Sequence, residues 1–369
     1  VRVRTRGNHV NVVLISPGYP PEMRHFTRGL DDVGARVIGI GDSPQHDLPS
    51  DVRRNLFAYI QAGSLWNEDE MLGHVRSIAS KLPIHRVECL WEPGVVLAAK
   101  LRRALGLPGL EPERAIPFRD KEVMKQVLDR AGIRTPRHAR VTSKVVAHEA
   151  ADAIGFPVLI KPIAGAGAVD TYRCDDHREL EAALDATRHV TELSLAEFVE
   201  GDEFTFDTIC ADGDVKFFSV MWYRPRPLDG KLHEWISPQA IVLRDMDDPM
   251  LRDGIKMGFE VLDALGFRTG FTHMEWYRKA DGEVVFGEIG ARPPGANAVE
   301  VMNFAHDMDL FRGWAEAACY GRFTQPVTKK YNCAIVFKRA VGEGRIPVSY
   351  THLRAHETVV RISYAGFGG

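Results

Sequence analysis

Two carboxylates and one guanidinium lie close together in the C-terminal half of the sequence. Glu275 lies in the apolar run 271–276, and Glu288 lies in the next run, 284–289. If these runs are adjacent antiparallel strands, both carboxylates can face one site, with Arg292 within reach. Mg²⁺ prefers carboxylate oxygens, and a guanidinium forms paired hydrogen bonds with phosphate. The pattern therefore predicts a site for magnesium and a triphosphate.

A lysine inside an apolar strand is the second feature that could take part in binding or catalysis. Lys161 lies in the run 158–162, and lysine is rarely buried without a partner. A loop of small residues follows it: Gly165, Ala166, Gly167, Ala168 and Val169. Such a loop lets backbone N–H groups approach phosphate oxygens while the lysine neutralises them. The alternative is a hairpin whose lysine extends into solvent.

Residues 197–203 form an acidic, extended segment. Free backbone groups of such a segment can bind the edge of an adenine ring, with Phe198 and Val199 as apolar walls. Glu203 could then accept hydrogen bonds from ribose hydroxyls. The alternative is an ordinary acidic strand end. Arg224 and Arg226 nearby predict either a contact with a substrate carboxylate or a solvated turn.

The elements that position these residues follow from hydrophobic periodicity. Runs 10–16, 36–41 and 87–91 predict strands, and 23–33, 68–82 and 95–105 predict helices between and after them. This order is typical of a small doubly wound α/β domain. A Pro- and Gly-rich linker, 106–118, follows. Beyond it, strands predominate and several helices cover them, including 121–129 with Asp120 as its N-cap.

Composition excludes several classes of function. The formal net charge is −3 and no basic stripe occurs, so we expect no nucleic-acid partner. No apolar run approaches the ~20 residues that span a bilayer, and no signal peptide is recognisable, so we expect no membrane partner. Five scattered cysteines, an odd number, predict reduced and buried thiols in a cytoplasmic protein. The chain lacks GxxxxGK[ST] and an early GxGxxG, which argues against P-loop and dinucleotide-binding proteins.

The order of these motifs resembles the ATP-grasp superfamily. The resemblance rests on Asp120-Lys121, Ile160-Lys161-Pro162 with its small-residue loop, the segment 197–203, Glu275, and Glu288 to Arg292. It implies a mixed α/β and α+β fold with three parts. Residues 1–113 would be an N-terminal doubly wound α/β domain, the pre-ATP-grasp domain. Residues 114–200 would be the first ATP-grasp subdomain with its lid, and 201–340 the second subdomain with the metal site.

The resemblance also implies roles for the residues of the nucleotide site. Lys121 and Lys161 would contact the phosphates of ATP, and residues 165–169 would close over the triphosphate. Four further residues would surround the base and the sugar: Glu197, Phe198 and Val199 at adenine, and Glu200 or Glu203 at ribose.

Metal binding and catalysis are implied in the same way. Glu275 and Glu288 would ligate Mg²⁺, with Glu288 bridging two ions, and Mn²⁺ is an alternative metal. Arg292 would stabilise an acyl phosphate and its transition state, and it would act together with Lys161 and Glu288. Gly290 departs from the family pattern, because many members have asparagine there as a further metal ligand.

The implied function is an ATP-dependent ligase. It would activate a carboxylate as an acyl phosphate for attack by an amine, and it would release ADP and phosphate. Its partners would be small molecules, an amino acid or a peptide, and the protein would be a homodimer. Two alternatives stay open: a biotin-carboxylase-like enzyme that activates bicarbonate, and a nucleotide-binding protein with weakened catalysis.

The C-terminal segment 346–369 differs in character from the rest. Residues 347–358 have neither helical nor strand periodicity and resemble a translated sequencing adapter. We therefore expect this segment to be foreign or disordered, and the native C-terminus to be missing.

Overall fold

The structure is a computed structural model that describes residues 9–165, 169–233 and 235–338. The lid residues Ala166, Gly167 and Ala168 lie outside the described residues, and so does the segment 346–369. Three sheets organise the described chain. Within this part of the chain, no helix is both long and apolar enough to span a bilayer.

The first sheet has four parallel strands in the order β3-β2-β1-β4. The strands are β1 (Asn11–Ile15), β2 (Arg36–Gly41), β3 (Ala58–Gln61) and β4 (Arg86–Glu88), and the helices are α1 (Met23–Asp32), α2 (Ser50–Asn55), α3 (Glu68–Ala79) and α4 (Val95–Ala104). Val12 and Leu14 pack on the face that contacts α1, whereas Val13 and Ile15 pack on the face that contacts α3 and α4. Both faces are therefore covered, and the predicted doubly wound arrangement is confirmed.

The segment 106–118, predicted as a linker, is packed rather than extended through solvent. It contains the short helix α5 (Pro112–Ala115) and a 3-10 turn, Ile116–Phe118. Ala115 and Phe118 are buried in the core, and the Phe118 ring meets the Phe267 ring edge-on at 5.4 Å. Apolar residues among the prolines explain the difference, because proline is well tolerated in the first turn of a helix.

The second sheet is antiparallel and has the order β5-β8-β6-β7. Its elements are α6 (Lys121–Arg130), β5 (His138–Val141), α7 (Lys144–Ile154), β6 (Val158–Pro162), β7 (Tyr172–Cys174), α8 (His177–Ala186) and β8 (Leu193–Glu197). The Asp120 side chain accepts hydrogen bonds from the backbone N–H groups of Glu122 and Val123, as the predicted N-cap of α6 should. This cap fixes Lys121 at the first position of the helix.

The third sheet has seven strands, with the path β14-β13-β9-β11-β12-β15 and with β10 beside β9. Its elements are β9 (Asp202–Ala211), β10 (Asp214–Ser219), β11 (Met221–Arg224), α9 (Pro227–Leu232), β12 (Gln239–Val242), α10 (Arg252–Leu265), β13 (Gly270–Arg278), β14 (Val284–Gly290), α11 (Ala298–His306), α12 (Leu310–Tyr320) and β15 (Cys333–Val336). The run 215–222 was predicted as one strand but forms two. The Met221 N–H donates to Thr205 Oγ1 (3.1 Å), so a side chain replaces a backbone acceptor at this break.

The five cysteines are all buried and unpaired. Burial raises the pKa of the Cys89, Cys174 and Cys319 thiols to about 12. These thiols are therefore protonated at neutral pH and behave as small apolar side chains, as predicted.

Helices α1 and α12 join the N-terminal domain to the third sheet. Arg28 donates to both carboxylate oxygens of Asp309, at 2.8 and 3.1 Å. A Cβ atom at Gly29 would lie 2.4 Å from the carbonyl oxygen of Phe311, so the two backbones are nearly in contact. Phe26 packs edge-on against Trp314 at 5.3 Å. Only glycine permits this approach at position 29.

Gly29→Ala is therefore expected to lower the free energy of unfolding by ~1–3 kcal/mol, because the added methyl group meets backbone that cannot move without separating the helices. Gly73→Ala in α3 is the matched control, since a Cβ atom there meets nothing within 4 Å. The control should raise stability by ~0.5–1 kcal/mol. Denaturant unfolding of both variants checks this, and equal stabilities would contradict the close approach.

Candidate active site

Glu275 and Glu288 lie directly opposite each other on the antiparallel strands β13 and β14. The pairing is irregular immediately after Glu275. A Cβ atom at Gly287 would lie 2.7 Å from the carbonyl oxygen of Glu275, so glycine is required beside this irregularity. The predicted antiparallel arrangement of the two carboxylates is therefore present.

Two lysines from the second sheet and its helix converge on Glu288. Lys161 Nζ of β6 lies 2.9 Å from Glu288 Oε2, and Lys121 Nζ of α6 lies 3.5 Å from the same oxygen. Lys121 also donates to the carbonyl oxygen of Gly165, at 2.7 Å. The site thus lies between two sheets, one supplying cations and the other carboxylates.

The charged groups of this site shift one another's pKa values. Burial alone would raise the pKa of Glu288, but Lys161 and Lys121 lower it well below its usual range. Burial opposes the charge on Lys161, yet Glu288 raises its pKa overall. For Lys121, burial outweighs Glu288 and lowers the pKa. At neutral pH Glu288 is therefore ionised and is available as a hard oxygen ligand.

Glu203 is a third carboxyl group beside this pair, and it is buried, whereas Glu275 and Glu288 are half-buried. Burial, and next the charge of Glu275, raise the pKa of Glu203 to about 8, although Arg226 acts in the opposite direction. Arg226 Nε lies 3.2 Å from Glu203 Oε2, and its Nη1 donates to the carbonyl oxygen of Val199 at 2.8 Å. The prediction of a solvated turn at Arg226 is wrong, because its side chain packs on β9 and contacts Glu203 there.

A buried histidine, His273, lies between Glu275 and Asp207. His273 Nδ1 lies 2.6 Å from Asp207 Oδ1, and His273 Nε2 lies 3.5 Å from Glu275 Oε1. Burial disfavours protonation, but Asp207 raises the pKa of His273 to about 9. Asp207 was not predicted as part of the site. It could have been identified from the polar residues that occupy alternate positions of an otherwise apolar strand: Glu203, Thr205 and Asp207.

Arg292 is held by a residue of the N-terminal domain. Its Nε donates to Glu92 Oε2 at 2.6 Å, and Arg119 binds the other oxygen of the same carboxylate. Glu92 was not predicted, because it lies 200 residues away in sequence. A Cβ atom at Gly290 would lie 3.2 Å from Arg292 Cγ, so the glycine leaves room for the arginine stem.

Part of the segment predicted to bind adenine already forms hydrogen bonds within the protein. The Glu197 carboxylate accepts from Arg134 at 3.0 Å and from the Arg137 N–H at 3.1 Å. The Phe198 N–H donates to Pro157. Val199 is 5% exposed, and among the described residues its N–H has no hydrogen-bond partner. A backbone N–H without a partner in the protein fits a ring nitrogen of a bound base.

The remaining nucleotide-site predictions fall on exposed residues. Val169 is exposed, and the Glu200 carboxylate lies 3.8 Å from Arg173 at the surface. Within the described ranges, no group of three His, Cys, Asp or Glu residues is arranged to hold a metal ion. Two facing carboxylates nevertheless fit Mg²⁺, which proteins commonly bind with one or two carboxylates together with substrate phosphates.

A further buried network lies beneath the two lysines and was not predicted. Lys125 Nζ lies 3.1 Å from Ser194 Oγ and 3.4 Å from Glu122 Oε1. Glu122 also contacts His138 Nδ1 at 2.6 Å. Burial, despite the charge of Glu122, lowers the pKa of Lys125 to about 8. Ser194 pairs with Lys161 across β8 and β6, so this network supports the strand that carries Lys161.

Comparison with known families identifies the central part of the chain. Residues 118–222 match the model of the ATP-grasp domain. The chain contains an ATP-grasp domain. The matched range includes Lys121, Lys161, Glu197 and Glu203, whereas Glu275, Glu288 and Arg292 follow it.

Similar proteins of known activity include amino-acid ligases. The chain is 25% identical over 245 residues to the L-arginine-specific L-amino acid ligase of Bacillus subtilis. The aligned region covers 64% of this chain and 58% of that protein. It is 30% identical over 128 residues to a D-alanine–D-alanine ligase of Clostridium perfringens, covering 34% and 41%. The chain thus spans about half the length of the curated relatives that it matches.

A solved structure shares the fold of most of the chain. The L-amino acid ligase of Bacillus licheniformis superimposes with a TM-score of 0.71 at 21% identity, covering 87% of this chain and 76% of that chain. This likeness shows that the two proteins share a fold.

Proposed function

We propose that the protein is an ATP-dependent carboxylate–amine ligase. The observation that carries the proposal is the convergence of Lys121 and Lys161 on Glu288, opposite Glu275. A carboxylate attacks ATP poorly because two anions repel each other. Two lysines facing two carboxylates can hold a nucleotide and a metal together, and so remove this repulsion.

The residues of this chain would act as follows. Lys121 and Lys161 would contact the phosphates of ATP instead of Glu288, and Glu275 and Glu288 would hold the metal. Magnesium, when bound, neutralises charge on the transferred phosphoryl group. Arg292 contacts the acyl phosphate and stabilises the charge that develops when an amine attacks it. Two ions, with Glu288 shared between them, and replacement of Mg²⁺ by Mn²⁺ are further parts of the proposal.

Three aromatic residues beside Glu92 indicate where the substrate side chain would lie. Tyr19, Trp66 and Trp91 follow β1, β3 and β4, so all three lie at the carboxyl edge of the N-terminal sheet. Tyr19 and Trp66 are 62% and 69% exposed, and their rings lie 6.5 and 5.4 Å from the Trp91 ring. Ligands of such sheets bind where the strand order reverses, here between β1 and β4. We infer that this cluster binds an apolar side chain of an amino acid or peptide.

Trp66→Ala is expected to raise KM for the substrate about tenfold with little change in kcat, because an aromatic contact contributes mainly to binding. Phe57→Ala is the matched control: Phe57 is 51% exposed but precedes β3, at the opposite edge of the sheet. Steady-state kinetics of both variants test the inference. A similar KM for the two variants would contradict it.

Glu92→Gln tests how Arg292 is positioned. The variant should lower kcat about tenfold to a hundredfold with KM for ATP unchanged, because a displaced arginine fails chiefly in the transition state. Glu92→Asp should restore part of the rate. Glu111→Gln, which removes a surface partner of Arg103, is the control. A parallel rise in KM for ATP would show that Glu92 supports nucleotide binding rather than the position of Arg292 in the transition state.

The test of the function is ADP release from Mg-ATP across a matrix of amino-acid pairs, with Glu288→Gln as the blank. Release that requires a particular pair supports the ligase and names its substrates. Release with bicarbonate alone would favour the carboxylase-like alternative. ATP binding without release under every condition would favour the nucleotide-binding alternative.

The homodimer and the cytoplasmic location stay predictions. Light scattering on the purified protein tests the first, and fractionation of the native host tests the second.

A further inference from the structure

Helices α7 and α8 cover the face of the second sheet that is turned away from the candidate active site. Ile160 of β6 packs in one core with Ala147 of α7 and Leu180 of α8. The next residue, Lys161, points to the opposite face, where it contacts Glu288. A site between the outer surfaces of these two helices is therefore separate from the one proposed for catalysis.

Two histidines meet between these helices. His148 of α7 and His177, the first residue of α8, have their Nδ1 atoms 2.8 Å apart. Their side chains are 32% and 50% exposed, so solutes can reach them. The Phe156 ring meets the His177 ring edge-on, with the ring centres 4.9 Å apart. Both imidazoles thus project from packed helices, and the fold sets their separation.

A carboxylate lies behind each imidazole. His148 Nε2 lies 2.9 Å from Glu181 Oε2. His177 Nε2 lies 2.9 Å from Asp152 Oδ1. Lys144, and next His148, lower the pKa of Glu181, which is therefore ionised at neutral pH. Because an ionised carboxylate can only accept a hydrogen bond, each Nε2 carries the proton of its pair.

The two Nδ1 atoms then face each other with their lone pairs. A neutral imidazole that carries its proton on Nε2 has no proton on Nδ1. Two such nitrogens at 2.8 Å repel each other unless a cation lies between them, and only a proton or a metal ion is small enough. Histidines that ligate a metal commonly donate their other N–H group to a carboxylate, as both do here. The cluster therefore combines ligating nitrogens with the carboxylates that orient them.

The separation of the two nitrogens is close to that required by one metal ion. Imidazole nitrogens bound at ~2.0–2.1 Å lie roughly 2.9–3.4 Å apart for bond angles between about 90° and 109°. A small outward rotation of the exposed rings supplies the difference from 2.8 Å. Imidazole favours Zn²⁺, Ni²⁺ and Cu²⁺, whereas Mg²⁺ favours oxygen ligands.

We propose that His148 and His177 chelate a divalent transition-metal ion through their Nδ1 atoms, with water completing its coordination. The ion takes the place of a proton between the rings and joins α7 to α8. These helices flank the hairpin of β6 and β7, which carries Lys161. The proposal does not depend on the function proposed above.

Calorimetric titration of the nucleotide-free protein with ZnCl₂ tests this proposal, and thermal unfolding with and without ZnCl₂ is a second measurement. The five cysteines are buried, so their thiols do not compete for the ion. Zinc should raise the unfolding temperature of wild type, because the ion binds the paired histidines of the folded state. Asp152→Asn should weaken binding ~10–100-fold, the usual effect of losing an orienting carboxylate. His148→Gln and His177→Gln should each weaken it further and abolish the thermal shift.

His189→Gln is the matched control. His189 Nε2 lies 3.0 Å from Asp170 Oδ2, and within the described part of the chain no histidine is hydrogen-bonded to it. This variant should bind zinc as wild type does, and so should Glu288→Gln, whose site lies on the other face of the sheet. Thermal unfolding without zinc verifies that every variant is folded.

Three results would overturn the proposal. Binding that survives in both His148→Gln and His177→Gln, or that disappears in Glu288→Gln, would place the ion elsewhere. Absence of saturable binding to wild type would show that a proton alone lies between the two rings. Each of these results leaves the interpretation of the ADP-release assay unchanged.

Discussion

Lys161→Met is expected to lower kcat/KM for ADP release by about 10²–10³-fold, the usual effect of removing one charged donor from a preorganised site. Lys161 Nζ lies 2.9 Å from Glu288, where a bound nucleotide would place its phosphates. Methionine keeps the apolar stem that packs in β6 but removes the charge. Lys121 still faces Glu288 at 3.5 Å, so the carboxylate keeps a cation and the fold should survive.

Lys144→Met is the matched control for Lys161. It makes the same change in the same subdomain, at a half-exposed side chain that pairs with Asp185 at 2.7 Å. Its ADP release should stay within about twofold of wild type, since surface pairs contribute little. If Lys161→Met retained a wild-type rate, the nucleotide site would have to lie elsewhere.

Glu288→Gln should have a still larger effect, a loss of about 10³-fold or more. An amide keeps the size of the side chain but removes the charge that attracts a divalent cation. The metal contributes several kcal/mol to stabilisation of the transition state, which corresponds to this loss in rate. Titration with Mg²⁺ supplies a second measurement, because the variant should require much more metal for half-maximal rate.

Glu283→Gln in the same hairpin is the control for Glu288. Its carboxylate pairs with Lys279 at 2.5 Å and with Arg134 at 2.9 Å, both near the surface. The rate and the Mg²⁺ requirement should change by no more than about twofold. An unchanged Mg²⁺ requirement in Glu288→Gln would exclude this residue as a metal ligand.

Local features of the active site could be predicted from the sequence. The carboxylates Glu275 and Glu288 follow from two apolar runs with acidic residues near their ends, and pairing of neighbouring strands is a short-range event. The Asp120 cap and the strand around Lys161 are equally local, because each depends on a few adjacent residues.

Long-range contacts could not be predicted in this way. The partner of Arg292 is Glu92, from another domain, and the partner of Glu203 is Arg226, which reaches it by the packing of β11 on β9. The short strands β3, β5, β7 and β12 were not predicted either. Each has only three or four residues, and neighbouring strands rather than local periodicity stabilise it.

The junction of α1 with α12 limits how this protein can be engineered. Replacement of residues 9–110 by the equivalent domain of a relative is an attractive route to new substrates, because the aromatic cluster lies there. A graft that lacks glycine at position 29 would push α12 away, and one that lacks Glu92 would leave Arg292 without its partner. Functional chimaeras should therefore require a donor domain with both residues, or an α12 exchanged together with it.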